Sequence, residues 1–160
     1  MRIIDLSVTL SSDRLSLVPG HPQFSLREFH SHEKDFRSNS YLQMSTHTGT
    51  HVDAPFHFIP DGVTIDRISL ERLCGAAVLI DLRKVSSPRK PIDVHEIINA
   101  VGDKDIRRRI VVLHAGWLRR NWGTQLMYAE NPFLSQSAAD WLVAQQIKAL
   151  GLDFSVDSAE

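Results

Sequence analysis

Residues 47–57 read His47-Thr48-Gly49-Thr50-His51-Val52-Asp53-Ala54-Pro55-Phe56-His57, and this stretch organises the rest of the chain. Side chains alternate between the two faces of an extended strand. We therefore expect a strand from Ser40 to Val52 with His47, His51 and Asp53 on one face. Two imidazoles and a carboxylate on one face can converge on a single divalent cation. Gly49 is predicted to leave room for that ion.

Pro55 is expected to end the strand, because proline has no N–H to donate to a neighbouring strand and holds the preceding residue extended. The turn would place His57 beside the metal rather than on it. Three protein ligands with an open position are typical of a catalytic zinc, although the carboxylate also suits manganese. An unligated His57, with an ordinary pKa near 6.5, suits a general acid and base.

The alternative interpretation is a solvated strand whose histidines make ordinary hydrogen bonds. It must explain three of the chain's eight histidines within eleven residues, all in phase with one aspartate. The spacing favours a metal site over that alternative.

The pattern His47-x-Gly49-Thr50-His51-x-Asp53-x-Pro55-x-His57 resembles the H-x-G-T-H-x-D-x-P-x-H signature of the cyclase family. That family includes bacterial kynurenine formamidase and isatin hydrolase, which are metal-dependent hydrolases. The similarity continues through nearly the whole chain, including Asp5-Leu6-Ser7, Pro19-Gly20, Gly116-Trp117 and Asn131-Pro132-Phe133-Leu134-Ser135.

The resemblance implies hydrolysis of an amide, lactam or related C–N bond in a small-molecule substrate, with one or two Zn²⁺ or Mn²⁺ ions. It implies metal ligation by His47, His51 and Asp53, and proton transfer by His57. A substrate loop is expected at Val18, Pro19 and Gly20. Val18 stands where kynurenine formamidases typically place a stacking tryptophan, and His21 where they tend to carry aspartate, so formylkynurenine is not singled out as the substrate.

Family members continue beyond the region that matches residues 155–157 and supply a further histidine and glutamate ligand from there. The expectation is therefore a single domain over residues 1–160 that lacks its C-terminal segment. The alternative function is an inactive or structural metal-binding relative, which would be a poor hydrolase. His114, at the end of a predicted strand, could replace the missing histidine or could be a buried, hydrogen-bonded side chain.

The order of the predicted elements indicates an α+β fold with a mixed or antiparallel sheet, since the early strands follow one another without helical crossovers. The resemblance implies a swivelling β/β/α fold with a barrel-like sheet. We predict strands at residues 3–10, 24–32, 76–82, 110–113 and 149–154. A helix is predicted at residues 94–101, capped by Asp93 with Glu96 as its partner. A second helix is predicted at residues 136–146, capped by Ser135 and with Ala139, Leu142 and Val143 facing inward.

Composition excludes several classes of function. The chain has 160 residues, 42% of them hydrophobic and 23% charged, as in an ordinary globular domain. A net charge of −1 gives no electrostatic reason to expect nucleic acid or anionic membrane as a partner. No apolar run approaches the roughly 18 residues of a membrane span.

Cys74 is the only cysteine, so the chain cannot form an internal disulfide, and a reducing cytoplasm is the expected compartment. We expect Cys74 to be a buried core residue rather than a nucleophile. A homodimer or higher homo-oligomer is expected from the resemblance, with Trp117, Trp122 and Trp141 as candidate interface residues.

Overall fold

The computed structural model describes residues 2–156. The strands in this range are β1 (Ser25–His30), β2 (Asn39–Gln43), β3 (Ala77–Asp81), β4 (Pro91–Ile92), β5 (Ile110–His114), β6 (Phe133–Leu134) and β7 (Ala149–Leu152). The α-helices are α1 (His32–Asp35), α2 (Val94–Val101), α3 (Trp117–Asn121), α4 (Leu126–Ala129) and α5 (Gln136–Ala144). Short 3₁₀ turns occupy Pro55–His57, Ile65–Arg67 and Leu70–Arg72.

The core is built on a parallel sheet with the strand order β3-β5-β7. Its strands are short apolar runs, which are typical of parallel sheets. Ile80 pairs with Leu113 and Leu113 with Leu152, so the three side chains lie in one row across the sheet. Ile80 and Leu113 are fully buried, whereas Leu79, on the opposite face, is 59% exposed. The core therefore covers one face of the sheet.

Helices α2 and α5 pack against each other and close this core, and both begin as the sequence predicts. Asp93 and Glu96 form a capping box around the first turn of α2, which satisfies backbone N–H groups that have no partner within the helix. Ser135 caps α5 by accepting a hydrogen bond from the N–H of Ala138. The sequence wrongly placed Val143 inward. Val143 is 75% exposed. Helix α5 buries Ala138 and Leu142, which lie one turn apart on the same face, whereas Val143 lies on a different face of the helix.

The first half of the chain forms an antiparallel hairpin of β1 and β2 and a long irregular segment. The strand predicted at residues 3–10 is absent: this segment pairs with no strand among the described residues. Its contact is instead with the motif, because the N–H of Val8 donates to Oγ1 of Thr50 over 3.0 Å.

The side chain of Ser16 is buried, donates to the carbonyl of Thr124 and accepts from the N–H of Gly123, at 2.9 Å each. This Ser16 tether links the first half to the loop after α3.

The mixture of parallel and antiparallel pairing was predicted, but the barrel-like sheet was not found. Within residues 2–156 the strands form three separate sheets, and none closes into a barrel. The reason is that the β1-β2 hairpin pairs only with itself and leaves β3 and β7 as edges of the parallel sheet.

Two further expectations about single residues are wrong. Cys74 is exposed rather than buried, because it lies in the turn that precedes β3. Trp117 is buried in the core and offers no surface to an interface, whereas Trp122 and Trp141 pack against the core and are partly exposed. None of the helices within residues 2–156 combines the length and hydrophobicity that a membrane span requires.

Candidate metal centre

The motif does not lie on a strand, contrary to the prediction. Strand β2 ends at Gln43, and residues 44–54 form turns and irregular backbone. The N–H of Thr48 donates to the carbonyl of Ser45, which closes a turn, and Gly49 has φ +71°. A left-handed residue cannot continue a strand, so the two-residue alternation that was predicted for the ligand face does not apply.

His47, His51 and Asp53 nevertheless converge. One donor atom from each lies within 4.8 Å of the other two. Nδ1 of His47 is 3.0 Å from Oδ1 of Asp53, and Nε2 of His51 is 3.4 Å from the same oxygen. The two imidazole nitrogens are 3.3 Å apart. The tight loop brings together the three side chains that the strand model had placed in a row.

This triangle of donor atoms fits a small divalent ion. Donors in tetrahedral arrangement at about 2.0–2.1 Å from zinc lie about 3.3–3.4 Å from one another, close to the three observed separations. Nδ1 of His51 lies 2.8 Å from the carbonyl of Gly49. That carbonyl can only accept, so Nδ1 carries the proton and Nε2 offers its lone pair to the cluster. Such an outer hydrogen bond is typical of a metal-ligating histidine.

Gly49 is required for a different reason from the one predicted. A Cβ at this position would lie 2.6 Å from Cδ2 of Leu10 and 3.3 Å from Cγ2 of Val8. The space is therefore limited by the N-terminal segment rather than by an ion. Glycine allows both the positive φ and the close approach of residues 8–10.

His57 lies beside the cluster, as the sequence predicted. It ends the Pro55–His57 turn, and its N–H donates to the carbonyl of Ala54 at 2.9 Å. The imidazole of His57 stacks on that of His47, with ring centroids 4.0 Å apart and an interplanar angle of 30°. The ring of Phe58 also contacts that of His57, with centroids 4.1 Å apart and an interplanar angle of 52°. His57 is exposed, and it belongs to no group of three close donors among the described residues.

The surroundings of His47 favour its neutral form, which is the form that ligates metals. Partial burial lowers the pKa of His47, and the neighbouring His57 and His51 lower it further. Asp53 acts in the opposite direction, but burial and the other imidazoles outweigh it.

The predicted substrate loop lies next to the cluster. Val18, Pro19, Gly20 and His21 form a turn in which the N–H of His21 donates to the carbonyl of Val18 at 3.1 Å. Proline in the second position and glycine at φ +79° in the third are the residues that a type II turn prefers. Pro19 and Gly20 are exposed and Val18 is half-buried.

His21 and Ser45 are site residues whose roles the sequence did not reveal. Nδ1 of His21 is 2.9 Å from Oγ of Ser45, and the same oxygen accepts from the N–H of His47 at 3.2 Å. The ring of His21 also meets that of His47 edge-on, 5.8 Å between centroids. In the sequence, His21 stands out only as a departure from the family pattern. Its contact with Ser45 depends on tertiary structure that residue spacing does not encode.

His114 is not part of this cluster. Its Nδ1 lies 2.9 Å from Oδ2 of Asp153, and Oδ1 of Asp153 accepts from the N–H of Ala115 at 2.7 Å. His114 is therefore a hydrogen-bonded histidine at the carboxyl end of the parallel sheet. It is partly exposed rather than buried.

Comparisons with known proteins agree with the motif. The model of the family described as "Putative cyclase" matches residues 4–158. Kynurenine formamidase of Geobacillus thermodenitrificans (strain NG80-2) is 31% identical over 157 residues, which are 96% of this chain and 69% of that protein. Kynurenine formamidase of Erythrobacter litoralis (strain HTCC2594) is 31% identical over 162 residues, covering 99% of this chain and 69% of that protein.

The fold is also that of a solved relative. The crystal structure of an isatin hydrolase bound to the product analogue thioisatinate matches 98% of this chain and 68% of its own chain, with a TM-score of 0.83 at 20% identity. A match at 20% identity shows only that the fold is shared. Family membership is shown by the family model and by the sequence identity to the formamidases. The chain belongs to the cyclase family.

Proposed function

We propose that this protein is a metal-dependent hydrolase of an amide or lactam C–N bond, with His57 as general acid and base. The observation that carries the proposal is the convergence of His47, His51 and Asp53 on one point with His57 stacked beside it. The 31% identical relatives are formamidases, which are hydrolases of C–N amide bonds. The alternative of an inactive metal-binding relative finds no support in these matches.

We assign metal binding to Nδ1 of His47, Nε2 of His51 and a carboxylate oxygen of Asp53. A divalent ion held there would supply a Lewis acid that polarises a carbonyl and lowers the pKa of water. Imidazole nitrogens favour zinc, and the carboxylate leaves manganese as the second candidate. The carboxylate of Asp53 also lies within 3.4 Å of both imidazoles, so it can stabilise positive charge across the cluster.

His57 is placed to move the proton. Its imidazole is exposed and is held by stacking against His47 and contact with Phe58, so its position is defined while its nitrogens remain accessible. In hydrolysis, His57 would accept a proton from the attacking water and return it to the departing nitrogen.

The Val18-Pro19-Gly20 turn is the proposed wall of the substrate site. It is connected to the cluster through His21 and Ser45, so its distance from the ligands is set by side-chain contacts. The exposed ring of Phe58, next to His57, offers an apolar surface to an aromatic substrate. A small aromatic amide or lactam is therefore the substrate class we favour.

We also propose a homodimer or higher homo-oligomer that works in the cytoplasm. The support for assembly is apolar surface in the first half of the chain, where Phe29, Phe36 and Leu42 are exposed. Surface of this kind is common at protein interfaces. The sedimentation mass at micromolar concentration tests it, and a mass equal to the 18.1 kDa chain would contradict it.

The central experiment compares wild type, His57→Gln and His95→Gln in metal content and in hydrolysis of formyl-anilide and isatin-type substrates. His95 is an exposed histidine in the first turn of α2 and serves as the matched control. We expect His57→Gln to keep its metal and lose turnover by about 100-fold or more, as for removal of a general acid and base. Equal turnover of His57→Gln and wild type would refute the role of His57. Wild type that binds no divalent metal would refute the proposed function.

A further inference from the structure

A second polar site lies at the amino ends of the parallel strands, away from the carboxyl edge that carries His114. It is a groove of about 460 Å³. Arg72 precedes β3, Arg108 precedes β5 and Lys148 immediately precedes β7. Because parallel strands begin at the same edge of a sheet, three separate segments bring these cations to one groove.

The groove is positive and its arginines are free to bind an anion. Three cationic side chains and one carboxylate, Glu71, line it. Among residues 2–156, no carboxylate forms an ion pair with Arg72 or Arg108. The ammonium of Lys148 is anchored by the carbonyl of Cys74, which fixes its place without neutralising its charge. An arginine pair beside a fixed ammonium can accept an anion with two or three charged oxygens.

The backbone of this groove is held in a costly conformation. Arg108 has φ +57° and Gln146 has φ +55°, and both line the groove. A left-handed conformation is unfavourable for a residue other than glycine. The two residues support each other, because the N–H of Arg108 donates to the carbonyl of Gln146 at 3.1 Å. Nη1 of Arg107 adds a bond to Oε1 of Gln146 at 2.8 Å. Strain of this kind is concentrated at ligand sites.

We propose that this groove binds a small dianion, the phosphate of a phosphate monoester or a dicarboxylate, between Arg72, Arg108 and Lys148. The guanidinium groups would form paired hydrogen bonds to the anion's oxygens, and Lys148 would add a point charge. Glu71 sets a limit on affinity because its carboxylate repels a dianion. None of these residues belongs to the histidine cluster, so the proposal stands independently of the proposed hydrolase activity.

The test titrates the metal-loaded protein with inorganic phosphate and, separately, with succinate, by calorimetry at constant ionic strength. We expect Arg108→Asn, in which asparagine tolerates the left-handed backbone, to weaken binding about tenfold through loss of a charged hydrogen bond. Glu71→Gln should tighten binding several-fold because it removes the repelling charge. Arg119→Gln, an exposed arginine outside the groove, is the matched control and should bind as wild type does.

The outcomes separate cleanly. Binding of phosphate alone assigns a phosphate monoester, binding of succinate alone assigns a dicarboxylate, and binding of both assigns a general dianion site. Arg72→Gln repeats the measurement if Arg108→Asn does not fold. The proposal is overturned if neither anion binds. It is equally overturned if both groove variants bind as tightly as Arg119→Gln, because the anion would then sit elsewhere, for example at the histidine cluster.

Discussion

The two halves of this molecule are built in different ways. Within residues 2–156, every buried hydrophobic side chain lies between Ile80 and Phe154, on the parallel sheet and its helices. Residues 2–72 contain most of the exposed large hydrophobic side chains within the described range, and their buried residues are Ser16 and Thr48. The candidate metal centre lies in this first half. Its geometry is therefore set by turns and side-chain hydrogen bonds rather than by a packed core, and a bound ion would add order that packing does not supply.

The largest expected effect separates the site from the core. Asp53→Ala removes the carboxylate that both imidazoles approach, so we expect metal affinity to fall by at least about 100-fold and hydrolysis to be lost. Metal analysis after dialysis and an activity assay measure these changes. Asp61→Ala, at an exposed aspartate in the following turn, is the control. If Asp53→Ala also abolished the folded state of the metal-free protein, the two halves would not be independent.

The next effect tests the core. Ile97 on α2 is fully buried. Ile97→Ala should lower the free energy of unfolding by about 2–5 kcal/mol through lost burial and a residual cavity. Leu42→Ala, in the exposed hairpin, should cost less than about 1 kcal/mol. Denaturant unfolding followed by circular dichroism gives both values. Similar losses for the two variants would show that the hairpin is as tightly packed as the core.

A smaller effect tests how the N-terminal segment supports the site. Gly49→Ala introduces a Cβ against Leu10 and forces alanine to a positive φ, so we expect a cost of about 1–3 kcal/mol and weaker metal binding. Adding Leu10→Ala removes the shortest contact but leaves the 3.3 Å approach to Cγ2 of Val8 and the backbone strain, so recovery should be partial. Calorimetric titration with zinc compares the three proteins. Full recovery of zinc binding would indicate that packing alone makes glycine necessary at position 49. No recovery would indicate that the left-handed backbone conformation alone makes it necessary.

The smallest effect is on pH dependence. The folded pKa of His47 is lowered by burial and by His57 and His51, whereas in the unfolded chain it lies near 6.5. As pH falls through 6.5 toward the folded pKa, the unfolded state binds more protons, so the metal-free protein should lose stability. In His47→Gln the proton binding of His47 is absent, so stability should decline less steeply as the pH falls. Unfolding midpoints between pH 7.5 and 5 measure the difference, and parallel curves would contradict the assigned direction.

Predictions from the sequence were most accurate where nearby residues alone determine the local structure. Asp93 with Glu96 predicted the start of α2, and the apolar runs at residues 76–82 and 110–113 predicted strands, because capping and strand preference depend on nearby residues. That β3 buries only one side chain, Ile80, was not predicted. The side chains of the metal cluster and the position of His57 beside it were also predicted. Whether they bind metal and move protons stays a prediction.

The sequence failed where tertiary contacts decide. Alternating residues suggested a strand at the motif, but a turn closed by Thr48 and Gly49 brings the same side chains closer together. Residues 3–10 have the composition of a strand, yet they contact the motif loop instead of a sheet. No local sequence pattern distinguishes a strand from such a loop. Both provide partners for the backbone hydrogen-bonding groups, and they differ only in which distant residues supply those partners. The domain range and the expected missing C-terminal segment remain predictions.

The Ser16 tether also bears on the order of events during folding. Its two hydrogen bonds reach residues more than a hundred positions later in the chain. During synthesis from the N-terminus, the residues of the metal cluster emerge well before Gly123 and Thr124 exist. The cluster spans only seven residues and can close as a local loop, whereas the tether must wait for α3 and for the entropy cost of a long closure. The loop of the candidate metal centre can therefore close in a nascent chain before the first half is attached to the rest of the protein.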